Sequence, residues 1–175
     1  MRKIGFKNIL PDFIFLNLSN IKVDFFSDAN LIIFDVDNTL VFSGTTKTKK
    51  EVIDWFSEIN SKYSCICLSN SRTIFKREKQ ISKLLNCKVF LSRHKKPFRK
   101  LFKKIKEKYV LSDNSKIFIV GDRIFTDILF GNLNGAITVL VKHLSSKENI
   151  IIKIIRKLED FILFLADMRY NESIR

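Results

Sequence analysis

Short apolar runs alternate with helical patterns along this chain, and that alternation limits the fold more than any other feature. Leu31-Ile32-Ile33-Phe34 is an unbroken apolar run ending at Asp35. Tyr63 to Leu68 returns to strand and ends at Ser69-Asn70-Ser71. Val89 to Leu91 is a brief strand before the basic turn Arg93-His94-Lys95-Lys96-Pro97. Ile117 to Val120 ends at Gly121-Asp122, and Ile137 to Val141 is the last strand. Between these runs the spacing predicts helices. Lys47 to Asn60 places Val52, Ile53, Phe56 and Ile59 on one face. Ile74 to Leu85 follows, then Phe98 to Tyr109 with Phe98, Leu101, Phe102, Ile105 and Tyr109 aligned, then a helix opening at Ile124 to Leu129. A long helix runs from Ile150 to about Met168. Continuous apolar runs suit strands buried on both sides, and regular alternation with helices suits a parallel sheet. The expected fold is α/β: a Rossmann-like parallel sheet with helices on both faces.

Length and composition agree with one compact unit. The chain has 175 residues, of which 46% are hydrophobic and 29% charged. Those values exclude a disordered or fibrous chain. The longest apolar run, Phe161 to Ala166, has six residues, far short of the roughly 20 that span a bilayer. Met1-Arg2-Lys3-Ile4-Gly5-Phe6-Lys7 lacks the apolar centre of a secretory signal. Cys65 and Cys67 are too close along one strand to bridge easily, and with Cys87 they read as reduced core thiols. His94 and His143 lie far apart, so no zinc site is expected. An intracellular chain follows, either cytoplasmic or peripheral on the inner face of a membrane, with residence in an organelle left open. The net charge of +14 admits two readings. Abundant Lys, Ile, Phe and Asn beside three alanines (Ala29, Ala136, Ala166) match AT-rich coding. Alternatively, the charge attracts an anionic partner: a phospholipid surface, a nucleic acid or a phosphorylated substrate.

Ligands of open α/β sheets bind beyond the carboxyl ends of the strands. Here those ends carry Asp35-Val36-Asp37-Asn38-Thr39, then Ser69, then Lys96, then Gly121-Asp122 with Asp127 five residues on. The set suits phosphoryl transfer. Asp35 can attack phosphorus and form an aspartyl-phosphate. Asp37 can protonate the departing alcohol and then take a proton from water. Clustered carboxylates call for a divalent cation, and Mg²⁺ prefers one or two carboxylates, waters and phosphate oxygens. Asp35 and Asp122 would ligate it directly with a backbone oxygen of Asp37, and Asp127 would act from the outer shell. Ser69, Asn70 and Lys96 would hold the phosphate oxygens. Thr39 would fix Asp37 or its loop.

These motifs, in this order, resemble those of haloacid-dehalogenase (HAD) superfamily phosphatases. Within that superfamily the chain is similar to the YqeG type, which includes the mitochondrial phosphatidylglycerophosphatases. The likeness rests on Leu10-Pro11, Asp37-Asn38-Thr39-Leu40-Val41, Ser69-Asn70-Ser71, Arg93-His94, Lys95-Lys96-Pro97, Gly121-Asp122-Arg123-Ile124-Phe125-Thr126-Asp127 and Gly131-Asn132-Leu133-Asn134-Gly135. It covers roughly residues 9 to 143. The resemblance implies a HAD-type sheet, Mg²⁺ dependence and conversion of phosphatidylglycerophosphate to phosphatidylglycerol. Phe42 to Thr48 and the terminal helix have no counterpart in it.

About 28 residues separate the first motif from Ser69, room for one helix and one strand but no cap domain. An uncapped site admits a head group still anchored in a membrane, whereas a small metabolite more often calls for a lid that excludes water. An open site equally suits a phosphorylated protein or a nucleic-acid end, and a phosphatase of a soluble metabolite or nucleic-acid phosphate is the alternative reading. No nucleic-acid module or aromatic stacking strip is present, so a nucleic-acid partner is not expected. A third reading, a non-enzymatic scaffold that binds a membrane or a partner, lacks the missing catalytic group that would favour it. Three regions are expected: an N-terminal segment 1–30 packed on the core, a phosphatase core 31–143, and a C-terminal amphipathic helix in 144–175. Two features suggest membrane contact. Arg93 to Lys108 is dense in basic residues. In the last helix Ile151, Ile154, Ile155, Leu158, Phe161, Ile162 and Leu165 form a stripe, opposite Lys153, Arg156, Lys157 and Asp160. Such a stripe ordinarily packs on a core, yet Ile152, Leu163 and Phe164 widen it beyond that need. Phe13-Ile14-Phe15-Leu16 is a candidate to join the same apolar surface.

Overall fold

A computed structural model describes residues 5–71, 73–92, 94–144 and 150–168. Arg93, named in the basic segment and in the Arg93-His94 motif, lies outside the described residues. Five parallel strands, β1 (Phe13–Phe15), β2 (Leu31–Asp35), β3 (Cys65–Leu68), β4 (Ile117–Gly121) and β5 (Ile137–Val141), form one sheet in the order β1-β5-β4-β2-β3. The helices are α1 (Lys50–Lys62), α2 (Ile74–Leu85), α3 (Arg99–Lys108), α4 (Leu129–Leu133) and α5 (Ile150–Leu165). From β2 the chain crosses to β3 on one side and later to β4 on the other. The order therefore reverses between β2 and β4, where a crevice opens at the carboxyl ends. Among the described residues, the connections from β2 to β4 hold α1, α2, α3 and loops, and no inserted cap.

Side-chain alternation explains the burial of β2 and β4 on both faces. Ile32, Phe34, Phe118 and Val120 pack with Val52 and Phe56 of α1 and Ile81 of α2. Leu31, Ile33, Ile117 and Ile119 face the other way, against Leu101, Phe102 and Ile105 of α3 and Phe130 of α4. Nearer the β1 edge, Ile14 and Leu140 meet Ile124, Ile128 and, from α5, Ile162 and Leu163. Among the described residues no helix is long and apolar enough to cross a membrane. Cys65, Cys67 and Cys87 are free thiols; burial pushes Cys65 up to about 12.

Several expectations change. Phe13–Phe15 is an edge strand, and of its three side chains only Phe13, 39% exposed, faces outward. Ile14 and Phe15 are buried, and Phe13 meets Phe25 edge to face at 4.9 Å. The Asp12 carboxylate anchors this strand by accepting from the Thr138 amide at 2.7 Å and hydroxyl at 2.8 Å. In α1, Trp55 takes the buried place expected of Ile53. Its indole N–H donates to the Ile21 carbonyl at 2.8 Å, and its ring lies edge-on to Phe34. Val89 makes only an isolated bridge to Cys67 rather than a strand. Phe98 precedes α3 instead of joining its buried face and is 66% exposed.

The largest reversal is α5. Its inward residues are Glu159, Ile162 and Leu163, while Ile151, Ile154, Leu158, Phe161 and Leu165 of the expected stripe are exposed. The reason lies in what α5 covers. It crosses the strand ends, where polar groups cluster, and the apolar patch there needs only two of its side chains.

Gly131 lets α4 approach the sheet. A Cβ at this position would lie 2.3 Å from Thr138 Cγ2. Thr138 is fully buried and its hydroxyl is tied to Asp12, so it cannot turn aside. Gly131→Ala is therefore expected to destabilise the fold by about 1–3 kcal/mol, as overpacked sites do. Urea unfolding checks this, and an unchanged midpoint would contradict the close packing.

Candidate active site

The motifs at the strand ends converge in the crevice between β2 and β4. Asp35 closes β2 and Asp122 follows β4, so strand pairing alone makes them neighbours. Asp127 returns to the same place through a π-helical turn, Ile124–Ile128, which runs into α4. Within that turn the Ile128 amide reaches back to the Arg123 carbonyl at 3.2 Å, and such wide turns recur at functional sites. Carboxylate oxygens of Asp35, Asp122 and Asp127 all lie within 4.8 Å of one another. Asp37, Ser69, Asn70 and Lys96 line the same cleft, of about 290 Å³.

Lys96 holds two of the three acids together. Lys96 is 4% exposed, and its Nζ donates to Asp35 Oδ1 and to Asp127 Oδ1, both at 2.5 Å. Burial lowers the proton affinity of this ammonium, but Asp127 and Asp35 outweigh it and hold the group above the ordinary lysine range. Asn70 fixes the turn that delivers it: its amide donates to the Lys96 carbonyl at 2.9 Å and accepts from the Lys96 N–H at 2.8 Å. Both ends of the Asn70 side chain thus bind main chain. Asp127 Oδ2 accepts from the Arg123 amide at 3.2 Å and the Thr126 hydroxyl at 3.3 Å.

Thr39 does not reach Asp37. Its hydroxyl lies 3.4 Å from Asp35 Oδ2 and 3.4 Å from Asp122 Oδ1, between the two acids. The tight turn after β2 causes this. Asn38 adopts φ 65°, and both Leu40 and Val41 amides donate to the Val36 carbonyl, folding Thr39 back over the strand end. Asp37 points elsewhere. It accepts from the Ser69 hydroxyl at 2.8 Å, the Gly44 amide at 2.9 Å and Arg77 at 2.8 Å.

Arg77 and Arg156 belong to the site and carry no sequence signal. Arg77 lies on α2, buried, with no motif around it. It pairs with Asp37 and also donates to the Thr45 carbonyl at 2.5 Å. It thereby ties down the Phe42–Thr48 stretch, which the sequence left unplaced. Arg156 was expected on a solvent face. It instead pairs with the Asp122 carboxylate and donates to the Asp122 carbonyl at 3.0 Å. Three residues on, buried Glu159 accepts from the Phe125 amide at 3.1 Å, fastening α5 to the π turn. A helical wheel shows which residues share a face but not which face turns inward.

Burial pushes the Asp35 carboxyl well up; Lys96 opposes the shift, and Asp127 and Asp122 add to it. Burial likewise raises Asp122 to about 6 against the pull of Arg156. These oxygens are hard donors in need of positive charge, so the set fits a hard divalent cation.

Burial raises Glu159 from 4.5 to about 7, partly offset by the Phe125 amide. Between those values the folded chain binds more protons than the unfolded chain, so stability falls as pH rises through that window. Glu159→Gln should flatten the fall, by at most ~3 kcal/mol. Unfolding free energies at about pH 5 and about pH 8, without divalent cations, test this. Parallel losses in both proteins would contradict it.

The chain resembles known proteins over most of its length. The family described as mitochondrial PGP phosphatase matches residues 5–144. The "Probable phosphatase YqeG" of Bacillus subtilis is 31% identical over 162 residues, covering 90% of this chain and 91% of its own. The mitochondrial "Phosphatidylglycerophosphatase GEP4" of Saccharomyces cerevisiae is 23% identical over 165 residues, 88% of this chain and 89% of its own. In Arabidopsis thaliana, "Phosphatidylglycerophosphate phosphatase 1, chloroplastic/mitochondrial" is 46% identical over 54 residues, 30% of this chain and 16% of that one. A match over most of the length, on a sheet whose strand tips gather the very residues the motifs named, makes this chain a member of the mitochondrial PGP phosphatase family.

Proposed function

We propose that this chain dephosphorylates phosphatidylglycerophosphate to phosphatidylglycerol through an aspartyl-phosphate on Asp35. The observation that carries the reading is the meeting of Asp35, Asp122, Asp127 and Lys96 in one cleft, with Asp37 on its wall. Family membership supports the substrate.

Asp35 Oδ attacks phosphorus and the bond to the glycerol oxygen breaks. Asp37 delivers the proton to that oxygen; in the second step it takes one from the water that attacks phosphorus, the Asp35 Oδ–phosphorus bond breaks, and inorganic phosphate leaves with the carboxylate restored. Asp37 is now held by Ser69, Gly44 and Arg77. A phosphate oxygen that takes the Ser69 hydroxyl releases Asp37 Oδ2 toward the leaving group, so substrate entry frees the acid. Lys96 steadies Asp35 and balances charge on the phosphate. Mg²⁺ would be held by Asp35 and Asp122 with a backbone oxygen of Asp37, and when bound it supplies charge neutralisation for the nucleophile and the phosphate. Asp127 acts from the outer shell, holding Lys96 through one oxygen and the Arg123 amide and Thr126 hydroxyl through the other.

Phosphate release from phosphatidylglycerophosphate in mixed micelles tests the reading, beside an aryl phosphate, a nucleotide and a phosphorylated oligonucleotide. The lipid should be strongly preferred, and chelation should abolish turnover. Hydrolysis of the aryl phosphate but not the lipid would discard the substrate and keep the chemistry. Asp35→Asn should lose at least about a thousandfold in kcat; residual activity within tenfold of wild type would remove Asp35 from the role.

Gly121 supplies a further test. A Cβ there would lie 2.4 Å from Asp127 Cγ. Gly121→Ala should push Asp127 off Lys96 and lower kcat by roughly tenfold to a hundredfold, since small misplacements are costly in a preorganised site. An unchanged kcat in a folded variant would show that Asp127 need not sit where it does.

A further inference from the structure

We propose that the outward face of α5 is the surface by which this chain docks on an anionic lipid bilayer. Ile150, Ile151, Ile154, Leu158, Phe161, Phe164 and Leu165 are each between 51% and 75% exposed. The spacing of Ile151, Ile154, Leu158, Phe161 and Leu165 draws them into one line along the helix. A contiguous apolar face of this kind marks an interaction site rather than ordinary surface.

Rotation of the helix cannot bury the stripe. The inward face is anchored at four points: Arg156 on Asp122, Glu159 on the Phe125 amide, and Ile162 and Leu163 in the apolar cluster with Leu140. Turning the stripe inward would break a buried ion pair and strand Glu159, so the outward direction is built into the fold.

Charge selects the occupant. Lys153 and Lys157 stand exposed on the flank of the stripe. Asp160, the acid on that flank, lines a cleft shared with Lys142 and His143. An apolar face edged by lysine is the form of a helix that lies in the plane of a bilayer. The whole chain carries +14, so an anionic surface attracts it whereas a second copy repels it. The basic segment from Lys95 onward adds less than its composition promised. Lys96 is inside the site, Lys106 pairs with Asp113, and Lys108 lies over the Phe90 ring. Exposed Lys95, Arg99, Lys100 and Lys104 remain as general attraction.

The position of the helix gives docking its use, and this part rests on the lipid-substrate reading above. Ile152 and Arg156 line the active-site cleft. The helix that would enter the head-group layer is therefore also a wall of the cleft. A phosphate still attached to its lipid then meets the site without leaving the membrane.

The test is co-flotation of the full chain with phosphatidylcholine vesicles, with and without phosphatidylglycerol, in the absence of any substrate. Wild type should float with the anionic vesicles. The triple variant Ile154→Ser, Leu158→Ser, Phe161→Ser should partition on the order of a hundredfold less, because three apolar side chains lose their place among the acyl chains. It should keep its melting temperature and its aryl-phosphate turnover. Lys153→Glu with Lys157→Glu should lose about tenfold on anionic vesicles and little on neutral ones. Wild-type protein that stays off the vesicles, or a triple variant that floats like wild type, would overturn the proposal. So would a wild-type dimer that the triple variant disperses without any vesicle binding, which would assign the face to a second copy. The two readings fail separately. A chain that floats but spares phosphatidylglycerophosphate keeps the dock and loses the substrate. A chain that hydrolyses the micellar lipid but does not float loses the dock alone.

Discussion

Three carboxylates held together out of water are the constraint on which the rest of this structure depends. Asp35, Asp122 and Asp127 are all buried. Their mutual repulsion and their lost hydration would separate them if nothing compensated. Lys96 and Arg156 compensate, and each requires its own architecture. Lys96 arrives from the loop before α3, held by Asn70. Arg156 arrives from α5, held by Glu159 and the apolar cluster beneath. The two halves of the molecule thus meet at one electrostatic knot, and the apolar layers position what the knot needs.

The parallel sheet explains why the knot forms where it does. Parallel strands end on the same side, so four separate chain segments deliver their terminal residues to one rim. Reversal of strand order at β2 and β4 opens that rim instead of covering it with a crossover. The π turn after β4 adds a second carboxylate from the same segment at a different height. Arg77 reaches the rim from α2 on the opposite face of the sheet and links Asp37 to the loop around Thr45.

Much of this was legible in the chain itself. β2, β4 and β5 are unbroken apolar runs because both their faces are covered, and their ends are marked by the residues that follow. β1 was not legible as a strand, since three residues give no period and its pairing depends on Asp12 meeting Thr138 at the far end of the sequence. Asp35, Asp37, Ser69, Asp122 and Asp127 could be read because each stands shortly after a strand, and Lys96 because it follows the short apolar stretch at Val89, which bridges Cys67. Arg77 and Arg156 could not. Their importance comes only from contacts 40 and 34 residues away, and a single arginine on a lysine-rich helix looks like any other. The direction of α5 was hidden for a related reason. Periodicity describes a helix in isolation, whereas its orientation is decided by the polarity of the ground it lies on.

The pairing of β1 with β5 also bears on how the molecule is made. Phe13–Phe15 lies beside Val139–Val141, and Asp12 is 126 residues from its partner Thr138. A chain emerging from the ribosome therefore carries its first strand without a neighbour until the last strand has followed. Contacts this distant in sequence form late and slow folding. During that interval Ile14 and Phe15 are open to the wrong partner, and the Asp12 carboxylate beside them gives the waiting edge a charge that discourages pairing with another chain.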